Sequence, residues 1–121
     1  MHKLSNPTQS AQKLTQAVLQ VTEMLGMYQA ELARILQVTC SEIGGFASGI
    51  QFHNVNSEAA EQAIKFVRLY ESLYEKFGAD EVAICQWFRA QNQDLNGIPL
   101  YLIVDDGRLA DVVEYIEQQI P

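Results

Sequence analysis

The stretch LNGIPLYLIVDDGRL, Leu95 to Leu109, admits two readings, and the choice between them sets the fold class of this chain. Read locally, it is a strand and hairpin: Asn96-Gly97 and Asp106-Gly107 are turn dipeptides, and Ile98 to Val104 is an apolar run between them. Read the other way, it is a short helix meeting a second helix at a corner. Pro99 favours the helix, because proline suits a first helical turn and removes a donor from a strand. The rest of the chain also favours it, since a lone hairpin needs a sheet to join and no other segment alternates with period two. The reading adopted is a buried helix over Pro99 to Val104, a corner at Asp105-Asp106-Gly107 with either aspartate capping the next helix, and that final helix over 108–119. The hairpin is the alternative.

On either side of this stretch the periods are helical. Leu109, Val112, Val113 and Ile116 share one face of the final helix. Upstream, Asp80 or Ala79 opens a helix bearing Val82, Ile84, Cys85, Trp87 and Phe88, and a polar loop over 89–97 succeeds it. Before that, Asn56 or Ser57 caps a long helix ending at Gly78. Its expected stripe is Ala60, Ala63, Ile64, Val67, Tyr70, Leu73, Tyr74 and Phe77, with Glu58 and Glu61 in the first turns. Gly49 to Asn56 is the candidate domain boundary. Leu14, Val18, Val21 and Leu25 mark a first helix over 11–25, stopped by Gly26. Gln29 to Leu36 is a short amphipathic helix. After the corner at Val38, Thr39 or Ser41 caps a partner helix that Ile43 and Phe46 pack back. The expectation is an all-α protein of about six or seven helices.

The chain has 121 residues, 48% of them hydrophobic, enough for an ordinary core without staples. Cys40 and Cys85 fit no CxxC or zinc spacing, and His2 and His53 are too scattered for a metal site. Both thiols read as reduced, with Cys85 packed as a small hydrophobe. No signal-peptide core opens the chain and no apolar run approaches membrane-spanning length, so the expectation is a cytoplasmic protein without a membrane partner. Charge divides unevenly. In residues 1–55, Lys3, Lys13 and Arg34 balance Glu23, Glu31 and Glu42; the remaining residues hold five cations against twelve acids, so the net charge of −7 belongs to the second half. That half repels nucleic acid and suits a basic partner or plain solvation.

Two segments resemble known families. QAELARILQVTCSEI (Gln29–Ile43) resembles the helix-turn-helix of phage-repressor (Xre-type) regulators, through Gln29-Ala30-Glu31-Leu32-Ala33, Val38 and Ile43. WFRAQNQDLNGIPLYLIVDDGRLADVVEYIE (Trp87–Glu117) resembles the toxin-binding domain of Xre/MbcA/ParS-type antitoxins. It carries that family's Trp-hydrophobic-Arg, a loop asparagine (Asn92), Leu-x-Gly (Leu95 to Gly97), Pro99-Leu100 and Gly107. The resemblance implies a helix-turn-helix-like domain over 1–55 and a helical toxin-binding-like domain over 56–121. It also implies a non-enzymatic antitoxin whose partner is a RES-type toxin that consumes NAD. The long helix over 57–77, apolar over a broad stripe, is separately expected to pair two copies as a homodimer.

The resemblance further implies DNA-facing positions at Gln29, Thr39, Cys40, Ser41, Gly44 and Gly45. None in the second helix is Arg, Lys, Asn or Gln, the side chains that read base edges bidentately, so weak DNA binding is expected. Gln37 stands where the motif usually has its turn glycine, which strains the corner. The toxin-facing positions it implies are Trp87, Arg89, Asn92, Asn96 and Gly97; the apolar tail Ile120-Pro121, which departs from the glycine and aromatic residue that often end the family, is the further candidate for entering a toxin pocket. Several also have a plainer reading: Trp87 as core, Arg89 as a tie to backbone carbonyls of the loop after its own helix, Asn96 and Gly97 as turn geometry, Thr39 and Ser41 as caps. Glu71 with Glu75, or Asp105 with Asp106, are carboxylate pairs lacking a histidine, metal ligands or a phosphate loop, so no catalysis and no cofactor are expected. Tyr70, Tyr74 and Phe77 at helical spacing read as core. A stand-alone transcriptional regulator and an interaction protein without a toxin are the other two readings of the chain.

Overall fold

Pro99 opens a six-residue α-helix ending at Val104, and the chain holds no β-strand among the described residues. The computed structural model describes the backbone of residues 7–47 and 58–120, and the surroundings of side chains over 13–45 and 58–120. Seven helices lie there: α1 (Pro7–Met24), α2 (Gln29–Leu36), α3 (Cys40–Ala47), α4 (Glu58–Phe77), α5 (Glu81–Arg89), α6 (Pro99–Val104) and α7 (Leu109–Gln118). The candidate boundary at Gly49 to Asn56, and caps at Asn56 or Ser57, fall outside the described residues, as do His2, Lys3 and His53.

The period of α6 is hidden because five of its six residues are buried, with Tyr101 alone exposed. It packs against α2, α5 and α7, so nearly its whole circumference is covered. The turn signals beside it are real but serve other ends. Asn96-Gly97 closes the loop before α6 through one antiparallel bridge between Asn92 and Gly97. Neither aspartate caps α7, which corrects the sequence expectation. Gly107 takes φ +66°, and the Arg108 N–H returns to the Leu102 carbonyl. Arg108, not an aspartate, therefore occupies the cap position; its side chain makes no cap bond to the backbone and pairs instead with Asp111 in the first turn at 3.0 Å. Asp105 instead pairs with Arg34 of α2 at 2.9 Å.

Helix ends follow local chemistry. At α1, Gly26 (φ +68°) makes a Schellman turn in which the Met27 N–H reaches the Thr22 carbonyl and the Gly26 N–H the Glu23 carbonyl. Thr39 caps α3: its Oγ1 accepts the Glu42 N–H while the Glu42 carboxylate accepts the Thr39 N–H. Asp80 caps α5 by accepting the Ala83 N–H at 3.1 Å. Gln37 ends α2 in the left-handed region (φ 59°), as the missing glycine requires, and Ala79 does the same (φ 70°) after α4. A Cβ in that region costs roughly 1 kcal/mol. Gln37→Gly and Ala79→Gly are each expected to raise stability, by up to about 1 kcal/mol, read as a higher urea midpoint.

The core is one cluster drawing on every described helix, from Val18 and Leu25 through Leu32 and Ile43 to Phe66, Phe88, Ile103 and Ile116. α4 is its axis and packs on α1, α2, α5 and α7. This revises the expected stripe. Ile64 and Tyr74 are 44% and 45% exposed, whereas Phe66 and Leu69, outside that stripe, are 0% exposed. A helix with neighbours on several sides buries more than one line of residues, so the longest single stripe is a poor guide to its inner face.

Candidate interaction surfaces

The loop between α5 and α6 is short, polar and pinned at both ends. Asn92 does three things there. Its N–H donates to the Gly97 carbonyl at 2.9 Å, its carbonyl accepts the Gly97 N–H at 3.2 Å, and its side-chain Oδ1 accepts the Leu95 N–H at 3.1 Å. Asn96 sits at the tip with φ 59°, a left-handed conformation that asparagine tolerates. Gly97 is required for a different reason: a Cβ there would stand 2.9 Å from Leu102 Cδ2. Leu95 plugs the loop into the core. Tyr115 and Asp94, neither of them expected from the sequence, complete the unit. The Tyr115 hydroxyl of α7 donates to Asp94 at 2.8 Å and so ties the loop to the last helix. Their separation of 21 residues leaves no local signal.

Asn92, Asn96 and Gly97 therefore meet in one closed loop. The other expected contact residues do not join them there. Trp87 is partly buried and packs against the core. Arg89 is exposed and donates from Nη2 to the Gly26 carbonyl at 3.0 Å, across 63 residues rather than to the loop after its own helix. One turn before it on α5, Cys85 Sγ lies 3.5 Å from the Met24 carbonyl. A helix C-terminus leaves carbonyls unpaired and carries partial negative charge, so an arginine here serves α1 twice. Ile120 is half-buried just beyond α7, and Pro121 lies outside the described residues.

The face expected to meet DNA is built from two eight-residue helices joined at Gln37, Val38 and Thr39. Gln29, Thr39, Cys40 and Ser41 are exposed, and Gly44 and Gly45 are half-buried. Thr39 spends its hydroxyl and N–H on Glu42, which places a carboxylate in the first turn of α3. Arg34, one of three cations in residues 1–55, is paired with Asp105. The surface thus offers few free positive groups for phosphate.

Two tyrosines titrate late. Tyr115 is raised above its ordinary 10.0, first because its hydroxyl bonds to Asp94, then through burial; Asn92 opposes the shift. Tyr70 is raised first by burial, then by the charge of Glu81. For a phenol with a raised folded-state value, the contribution to stability is complete below the unfolded value near 10.0 and is lost as pH rises through the folded one. Stability is therefore expected to hold through neutral pH and fall above about pH 10, with a smaller fall in Tyr115→Phe. Chemical denaturation across alkaline pH, alongside tyrosinate absorbance, measures both.

Among the described residues no three His, Cys, Asp or Glu side chains group as a metal site. No helix there is long and apolar enough to cross a membrane. No protein-family model matches the chain, and no curated protein matches it significantly.

Proposed function

We propose that this chain is an antitoxin-like protein that binds and neutralises a RES-type, NAD-consuming toxin, pairs as a homodimer and touches its operator weakly. The supporting observation is the pinned Asn92–Gly97 loop held to α7 by Tyr115, with Asp106 and Glu114 exposed nearby in sequence and Asp111 exposed but paired with Arg108. A loop fixed at both ends loses little entropy on binding. Exposed carboxylates on the adjoining helix suit a basic groove on the partner. DNA contact is the minor part of the reading. The face carried by α3 lacks bidentate base readers, and the capping pair Thr39–Glu42 keeps an exposed carboxylate there.

Co-expression with a RES-type toxin, with cellular NAD and growth as readouts, tests the reading. The full chain is expected to restore both. The double reversal Asp106→Lys, Glu114→Lys should weaken rescue, while Cys40→Ala and Ser41→Ala should leave it intact. Failure to relieve NAD loss with a correctly folded chain would overturn the assignment. A gel shift with the protein's own upstream DNA at physiological salt is expected to show weak binding that competitor DNA removes.

A further inference from the structure

A trough between α1, α4 and α5 lies apart from the Asn92–Gly97 loop and α7, bordered at one end by Cys85 and Arg89, which reach the end of α1. Met24, half-buried at the end of α1, stands at its middle. On one side a groove of about 370 Å³ runs between α1 and α4, with Val21, Val67 and Tyr70 in its walls. On the other a more open depression of about 500 Å³ passes over α5 beside Val82 and Cys85. Met24 borders both, so the two depressions adjoin at that side chain. Two large side chains of its lining stand out from the surface, Val82 67% and Tyr74 45% exposed. Each half has an acid in its lining, Glu71 on α4 and Glu81 on α5. The cation at the far end, Arg89, is engaged by the Gly26 carbonyl.

One residue lining this trough carries a buried group that the fold leaves unpaired. Tyr70 is only 7% exposed, and its hydroxyl has no hydrogen-bond partner among the described residues. Leaving such a group unpaired is destabilising. The half-exposed ring of Tyr74 stands beside it, 6.1 Å between centroids.

We propose that the trough docks an amphipathic helix of a protein partner, with its apolar face on Met24 and Val82, basic side chains opposite Glu71 and Glu81, and an acceptor for the Tyr70 hydroxyl. An apolar floor with charged margins is the geometry by which grooves take helices. The margins choose the partner's sign. They also disfavour a second copy. In a two-fold pair the same patch faces itself, which sets Glu71 and Glu81 against the same acid-margined patch of a second copy. Tyr74 moves aside as the helix seats, and the hydroxyl gains the acceptor it lacks. The trough is independent of the toxin reading, which concerns the Asn92–Gly97 loop and α7.

The test uses the full chain and a labelled synthetic helix with leucines on one face and lysines along its flanks, read by fluorescence anisotropy. A scrambled peptide of the same composition and a version with glutamates for lysines are the controls. Saturable binding of the lysine peptide alone is expected. Met24→Glu should weaken it at least tenfold, and Glu71→Lys with Glu81→Lys should transfer preference to the glutamate peptide. Tyr70→Phe should weaken binding roughly fivefold while the melting temperature stays equal or rises, a combination that a purely structural tyrosine does not produce. Ile64→Glu, exposed on α4 but outside the trough, should change nothing. Equal binding of the scrambled peptide, or unaltered binding by Tyr70→Phe, overturns the proposal. So does a dimer in sedimentation that Met24→Glu converts to monomer, which would give the trough to a second copy.

Discussion

Truncation of Phe66 to alanine is expected to cost about 3–5 kcal/mol, the range for deleting a buried aromatic ring. Phe66 is fully buried on α4, the helix that touches α1, α2, α5 and α7, so the void opens at the centre of the core. Native domains hold only about 5–15 kcal/mol in total. The variant is therefore expected to lose a large share of its stability, read as a much lower urea midpoint. Ile64 on the same helix is the internal contrast. At 44% exposure, Ile64→Ala should cost less than about 1 kcal/mol. Urea titrations with comparable slopes measure the difference directly. Equal losses at the two positions would mean that α4 is rotated from the orientation described.

Alanine at Gly97 is expected to cost about 1–3 kcal/mol by overpacking. The added methyl would lie 2.9 Å from Leu102 Cδ2 and 3.2 Å from Cγ. Leu102 is itself buried in α6, so it cannot simply swing into solvent. The backbone could yield instead, but the Asn92–Gly97 bridge and the Leu95 N–H bond hold the loop closed. A double-mutant cycle with Leu102→Ala separates sterics from other causes. If the close approach is the reason for glycine, the pair should be less destabilised than the sum of its parts, by about 0.5–3 kcal/mol. Additive losses would point to another demand on Gly97, such as contact with a partner. Asn96, its neighbour, needs left-handed backbone instead, so Asn96→Gly should be close to neutral.

The helical class and most of the helix limits were legible in the sequence alone, because these depend on neighbours along the chain. Gln29 to Leu36 and Pro99 to Val104 begin and end where period, proline and flanking turn residues place them. Gly26, Gly78 and Gly107 all take the positive φ that helix-ending positions demand. The caps at Thr39 and Asp80 reach only three residues ahead, and the sequence narrowed each to one of two candidates. Legibility stopped where a choice depends on what lies opposite. Phe66 or Ile64 as the inner residue of α4 is set by the placement of four other helices, which no period records. Asp105 looked like a cap, yet tertiary packing brought it to Arg34, and Gly107 moved the start of α7 beyond its reach. Arg89 could be expected to seek carbonyls, but only the fold could deliver those of α1, 63 residues away. The same holds for Tyr115 on Asp94 and for the acid-margined trough around Met24. Hydrogen bonds across tens of residues follow from the packing of helices whose ends are local but whose mutual orientation is decided by the shared core alone.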